Sequence, residues 1–421
     1  MKMKKLFFTA FLVLLVTACA KDDSYDPVAD DTQAPSKPLN LAASEQTETS
    51  LKLSWDASTG NVGVTGYRIY QDGTALLGLI TGTSATVQGL TPGTAYNFYV
   101  TAFDAKENES APSNTLEAFT LEEPLSFLPL LSQMGVYTGN LSDLNPAQGV
   151  HLYEIHSTLF TDYAHKQRLI RLPEGQPMRY ANSDLLPAFP DNTLISKTFF
   201  YNIDDQDPSM GKQIIETRIF LNVNGVWLVG NYIWNAAQTE ANYRETGSTE
   251  AISYIDMNGQ TQNVNYQIPS KQDCFTCHNN NAQTFPIGPK LRSLNFIPSY
   301  TNQNQLDYFQ SLGLLQGVNP GSISVLPDWT DVANYTLEDR ARAYMEVNCA
   351  HCHQPGGSVP AGFNIDFRLE TLFPNTGIYE NRGEIIARFE STLPTYRMPQ
   401  LGRTVIHTEA LQMLNDYIDS L

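Results

Sequence analysis

The chain reads as a multidomain protein, with an all-β sandwich near the N-terminus, a β-rich middle and a mainly α C-terminal region. Three observations carry that reading. Short runs of alternating apolar and polar residues, separated by turn residues, fill positions 37–122, as in a small antiparallel sandwich. Asn224-Gly225 and Asn258-Gly259 each lie between runs rich in Val, Ile and Tyr, and Asn-Gly in such a setting closes a hairpin. Towards the C-terminus the apolar residues instead recur every three or four positions, the period of an α-helix. A length of 421 residues with 42% apolar content leaves room for two to four packed domains.

In chain order, Met1-Lys2-Met3-Lys4-Lys5 is basic and Leu6 to Val16 is apolar. That run is too short to span a bilayer comfortably, so positions 1–18 read as an export leader, with a membrane-anchoring helix as the alternative. Val16-Thr17-Ala18-Cys19 resembles the lipobox of bacterial lipoproteins. The resemblance implies cleavage before Cys19, acylation of its thiol, and an outer-membrane lipoprotein of the cell envelope. Ala20-Lys21-Asp22-Asp23 resembles the surface-export signal of lipoproteins in the Bacteroidota, which implies exposure at the cell surface. Positions 19–36 are rich in Asp, Ser and Pro without periodicity, a flexible tether.

Within 37–122, Leu51, Leu53 and Trp55 alternate inward, as do Tyr67 and Ile69, and Tyr96 opens the strand that carries Phe98, Val100 and Ala102. This segment resembles a fibronectin type III domain, with Trp55 as the core tryptophan and Tyr96 at the tyrosine corner. The resemblance implies a seven-strand sandwich, used mostly as a spacer, and no particular activity.

Positions 123–270 form the β-rich middle, with hairpins expected at Ile214–Trp234 and Ile252–Gln267, each closed by two residues. An antiparallel sheet there should lie against the region that follows. Leu159-Phe160-Thr161-Asp162-Tyr163-Ala164-His165-Lys166, Glu216-Thr217-Arg218, Arg340-Ala341-Arg342-Ala343-Tyr344 and Asn348 resemble an uncharacterised bacterial family that sets such a β region before two Cys-x-x-Cys-His runs.

Positions 271–421 hold those runs. Cys274-Phe275-Thr276-Cys277-His278 and Cys349-Ala350-His351-Cys352-His353 account for every cysteine except Cys19. Two thiols at this spacing can add across porphyrin vinyl groups while the adjacent imidazole ligates iron, so two covalently attached haem c groups are expected, with His278 and His353 on the irons. Zinc is the alternative, although Cys277 and Cys349 lie much further apart than the ~15–20 residues between the knuckles of a zinc ribbon. A redox Cys-x-x-Cys would sit near a βαβ pattern, which is not evident.

The last part also resembles a class I cytochrome c. Thr336-Leu337-Glu338-Asp339 starts a helix with a capping box, Leu337, Ala341 and Tyr344 continue it into Cys349, and Leu411, Leu414, Ile418 and Leu421 stripe a terminal helix. Between them lies Tyr396-Arg397-Met398-Pro399, which the resemblance assigns to the sixth-ligand loop, with Met398 on the second iron. Ile287-Gly288-Pro289-Lys290-Leu291 resembles the segment whose proline carbonyl orients the first imidazole. The sixth ligand of the first iron stays open among His151, His156, His165, Met134, Met178, Met257 and none at all. His351 and His407 are expected to face solvent.

The formal net charge of −18 excludes nucleic acid as a partner and suits steering of a basic redox protein. Together these readings predict an exported, lipid-anchored dihaem c-type cytochrome that carries electrons between redox partners, a carrier more than an enzyme. Two alternatives remain: a dihaem peroxidase- or oxidase-like enzyme, and a non-redox surface lipoprotein that binds glycan. Membrane attachment through Cys19 is tested by Cys19→Ala, which should move the protein into the soluble fraction or block its processing. A normally processed variant that stays with the membrane refutes the anchor.

Overall fold

A computed structural model describes residues 31–421 apart from Leu77 and Ala361, so the leader and Cys19 lie outside the described residues. The chain divides into two compact units, one running to Leu90 and including Thr94–Thr120, the other formed by Thr91–Gly93 and Leu121–Leu421.

The first unit holds strands β1 (Ala42–Ser44), β2 (Ser50–Ser54), β3 (Val64–Gln71), β4 (Thr74–Ala75), β5 (Ser84–Gln88), β6 (Ala95–Asp104) and β7 (Leu116–Phe119). They form two sheets, β1-β2-β5 and β4-β3-β6-β7. Alternation does what the sequence suggests: Leu51, Leu53, Tyr67, Ile69, Phe98 and Val100 all point into one core. Trp55 lies just past β2, only 5% exposed, with its ring edge-on to Tyr67 at 5.4 Å. Tyr96 is buried at the start of β6.

In the second unit, β8 (Val150–Leu152), β9 (His165–Arg171), β10 (Met178–Arg179), β11 (Leu194–Asn202), β12 (Lys212–Val223), β13 (Val226–Trp234), β14 (Ala241–Arg244), β15 (Ser248–Ile255) and β16 (Thr261–Ile268) follow in order. Six of them build an antiparallel sheet in the order β14-β13-β12-β11-β9-β8. β12 and β13 are closed by two residues, Asn224 and Gly225, both at positive φ, the backbone that an Asn-Gly turn supplies most cheaply. The second hairpin differs from the sequence reading. Ile255 pairs with Thr261, so positions 256–260 form the loop. The reason is Asp256, whose carboxylate accepts from the Asn258 and Gln260 amides and holds the chain in a wider turn.

The sheet buries both faces. Leu169, Leu194, Ile219, Leu221 and Tyr232 pack on one side. On the other, Ile170, Ile195, Phe220 and Val229 meet Cys274, Leu291, Leu306 and Phe309, so residues on either side of position 270 share one core. The helices are α1 (Lys271–Cys277), α2 (Leu291–Leu294), α3 (Gln305–Ser311), α4 (Leu337–Asn348), α5 (Ile378–Glu390) and α6 (Thr408–Asp419).

These helices are separated by long irregular stretches, so the mainly α region that the periodicity implied, and its resemblance to a cytochrome, are not shown at 271–421. Runs rich in Pro, Gly, Asn and Ser, as at 279–290 and 354–364, cannot sustain helix. The capping box of α4 is as expected, Thr336 and Asp339 bonding each other's backbone amides. On α6 the inward face is Ala410, Met413, Leu414 and Tyr417, while Leu421 is exposed. No described helix is long and apolar enough to cross a membrane.

One ion cluster ties this unit together. Glu346 of α4, 3% exposed, pairs with Lys290 and with Arg292 at 2.6 Å, and accepts from the Leu369 amide at 2.9 Å. Burial raises its pKa, but the two cations overcompensate and hold it down at about 2. Glu346→Gln leaves Lys290 and Arg292 facing a neutral amide and should cost about 3–5 kcal/mol, measured by urea unfolding. Because the folded pKa is depressed, the carboxylate's contribution is present above the unfolded value of about 4.3 and fades as pH falls towards 2. The stability gap between wild type and variant should therefore close over that window; a gap independent of pH would remove the cluster from the account.

Candidate functional site

The first Cys-x-x-Cys-His run sits on α1 and its C-terminal turn, the second on the turn that ends α4. Ser270 and Asp273 cap α1 reciprocally, which fixes where the run begins. Although far apart in sequence, the two runs meet. Cys277 and Cys352 have sulfur atoms 3.9 Å apart, and the ligand atoms of Cys277, His351 and Cys352 lie within 4.8 Å of one another. A small hairpin joins them further, the Asn281 amide donating to the Gly356 carbonyl at 2.8 Å and the Asn280 side chain to the Pro355 carbonyl at 3.0 Å.

Each run opens onto its own cavity. The second, of about 320 Å³, is lined by Cys349, Cys352, His353 and Met398, with Met345, Ile365, Phe367, Phe389 and Leu414 as apolar walls. The first, of about 70 Å³, is lined by Cys274, Cys277 and His278 with Arg218, Phe220, Tyr344 and Arg403. Thus the four cysteines and the two terminal histidines of the runs, with Met398, line these two cavities.

The donors suit a flat apolar group bonded through thiols. His353 Nδ1 is buried without a partner, and His278 Nδ1 meets the Phe285 carbonyl at 3.0 Å, which leaves Nε2 to act as a ligand. That carbonyl is not the one expected. The chain doubles back through the hairpin after His278, and Phe285, not Pro289, returns to the ring. Burial lowers the His278 pKa to about 3 and that of His353 to about 4, so both rings are neutral near pH 7. Burial likewise pushes the Cys349 thiol up to about 12 and raises Cys274, so these sulfurs are protonated thiols rather than thiolates. Zinc is served less well: the compact cluster takes one cysteine from each run and leaves Cys274 and Cys349 outside it.

The candidates for a further axial ligand at the first cavity are elsewhere. His156 bonds the Leu326 carbonyl, His165 pairs with Asp205, Met134 and Met178 are core residues, and Met257 is 68% exposed. His151 is half-buried on β8 and does not line the cavity. His351 and His407 are not solvent-facing. Both are buried, His351 between the two runs and His407 stacked on Phe160 at 4.1 Å with Tyr344 at 2.9 Å.

Sequence reasoning also missed Arg403. It is 1% exposed and donates to the carbonyls of Phe389, Ser391, Met398 and Val405, which pins the Met398 loop to the end of α5. A lone arginine in a loop carries no sequence signal for that role. Arg403→Met strands those carbonyls and should lower stability by about 2–4 kcal/mol in a denaturant titration; an unchanged midpoint would show that the loop holds itself.

Residues 36–119 match the sequence model of the fibronectin type III domain. The chain is 55% identical over 93 residues to chitinase A1 of Niallia circulans, which covers 22% of this chain and 13% of that protein. It is 47% identical over 94 residues to exoglucanase B of Cellulomonas fimi, covering 22% of this chain and 8% of the other. The solution structure of a human fibronectin type III domain covers 23% of this chain at 22% identity and a TM-score of 0.20. The chain therefore spans only a small part of the curated relatives it matches.

These findings correct the expectation of a dihaem cytochrome carrying electrons between partners. The relatives found are polysaccharide-degrading enzymes that share the sandwich, and neither they nor the fold supply a class I cytochrome. The relatives are enzymes, and the peroxidase form of an enzymatic reading draws no support from them.

Proposed function

We propose that this is a carbohydrate-associated protein of the cell envelope or exterior, whose sandwich engages or presents the chain to polysaccharide. The carrying observation is the 55% identity of that sandwich to part of a chitinase. The match lies in one short module, and the activity of a relative's whole chain does not travel with it. The lipobox-like run ending at Cys19 supports attachment to a membrane by acyl chains.

The test is retention of the full chain on insoluble chitin, cellulose and starch at physiological salt. Retention on one of them that is lost on deleting residues 36–119 supports the reading. Passage through all three columns unretarded refutes it.

For the second unit we propose two covalently attached haem groups, which would be held through Cys274, Cys277 and His278 and through Cys349, Cys352 and His353, with Met398 as a further ligand at the second. The support is the donor chemistry: two thiols, a neutral imidazole with a free nitrogen, and apolar walls at each cavity. Bound there, the group would supply an iron with one protein imidazole at each site. The protein's part is to orient His278 through the Phe285 carbonyl, to exclude water with Phe367 and Phe389, and to keep Met398 in place through Arg403. A pyridine haemochrome assay on protein made with the attachment machinery should give two haems per chain, and one after Cys349→Ala with Cys352→Ala. Stoichiometric zinc without haem would overturn this assignment and leave the carbohydrate reading untouched.

A further inference from the structure

The sheet face that carries the first cavity has too many positive charges for what the protein sets against them. Arg168 of β9, Lys197 of β11 and Arg218 of β12 are directly opposite one another in adjacent strands, and Lys166 lies two positions from Arg168 on the same face. Like charges directly opposite destabilise an antiparallel pair. In a chain of net charge −18, this is not a by-product of composition.

Among the described residues, this face of the paired strands carries one carboxylate, Glu216, and it is fully used. Glu216 is 0% exposed, pairs with Arg218, and accepts from Asn231 at 2.6 Å and Tyr266 at 2.7 Å. The nearby acids are engaged elsewhere: Asp162 holds Thr404 and Val405, Glu154 holds Ser299, and Asp273 caps α1. Lys166 donates to the Ala164 carbonyl at 2.7 Å. Lys197 lies over the Phe199 ring at 4.8 Å, and Arg218 lies over the same ring at 4.4 Å. Arg168 is 6% exposed, and its Nη2 has no hydrogen-bond partner among the described residues.

Arg168 is buried and Lys197 half-buried, and such cations without an acid partner are expensive unless an anion joins them. The row reaches the cavity at its Arg218 end, with Lys197 and Arg168 behind it on the neighbouring strands. Arg218 and Phe220 line it beside Cys274 and His278, and the Phe220 ring lies 4.6 Å from the His278 imidazole.

We infer that Arg168, Lys197 and Arg218 form a carboxylate-binding site beside His278, filled by the acid groups of a ligand seated against this face of the sheet. Two sources share that chemistry: the propionates of a haem held by the first Cys-x-x-Cys-His run, which rests on the cofactor proposal above, and the uronate groups of an acidic glycan, which does not. Guanidinium and ammonium groups in one row recognise either.

Two arms separate the sources. In the first, the full chain is made with haem attachment and carries Cys349→Ala and Cys352→Ala, so that only the His278 haem remains. Adding Lys197→Met or Arg168→Met should shift the propionate bending band in its resonance Raman spectrum. In the second, the full chain is made without haem and titrated calorimetrically with oligogalacturonate. Wild type should bind at least tenfold more tightly than Lys197→Met, with no binding of the uncharged galactose oligomer. A shift in the first arm assigns the row to propionates, and a loss in the second assigns it to acidic sugar. Absence of covalent haem in the first arm removes the cofactor proposal alone and leaves the second arm to decide. An unmoved band, or absent haem, together with charge-independent sugar binding overturns the inference. The ligand-free Lys197→Met protein should also melt higher than wild type, because a buried repulsion has gone. A lower melting temperature with unchanged sugar binding would mark Lys197 as structural and overturn its role.

Discussion

The second unit depends on the ion cluster around Glu346. That carboxylate sits one turn before the second Cys-x-x-Cys-His run, while its partners Lys290 and Arg292 follow the first. Because both cations and the Leu369 amide converge on it, this buried anion helps hold the two runs in register. A buried ion pair is weak evidence for stability in itself, since desolvation consumes much of the attraction. Its value here is geometric. With the Asn281–Gly356 and Asn280–Pro355 bonds, it fixes where the Cys349 turn lies relative to α1.

The six-stranded sheet supplies the other constraint. A sheet buried on both faces must commit every second residue to one side. In β12, Ile219 and Leu221 pack on one face, and Arg218 and Phe220 on the other. Phe220 forms the floor beneath His278, and the neighbouring register position carries the cationic row. The same alternation that makes the core therefore places charge beside the first cavity, and only a ligand or a cost in stability can answer it.

The two units were not equally legible. The sandwich was open to reading because β2 and the first half of β6 alternate cleanly between buried and more exposed residues. Burial of Leu51, Leu53, Tyr67 and Ile69 needs no knowledge of distant chain. The C-terminal region misled because helical spacing in α4 and α6 is real but local. The Pro- and Gly-rich stretches between them outweigh it, and the resemblance to a class I cytochrome c did not survive that difference in fold. The wider loop at 256–260 misled for a smaller reason, since Asp256 offers its own acceptor to the turn.

Composition and short-range spacing singled out the two Cys-x-x-Cys-His runs and Cys19, because cysteine is otherwise absent, whereas Met398 stood out only through a resemblance. The tertiary structure decided what those side chains meet. Cys277 lies beside Cys352 only because Glu346 and the Asn280–Asn281 turn bring distant segments together. Phe285 faces His278 because a hairpin returns the chain, and His407 is buried because Phe160 and Tyr344 arrive from elsewhere. The physical reason is common to all three. Spacing along a chain sets local geometry, whereas burial and pairing are settled by the residues that long-range packing brings to the same place.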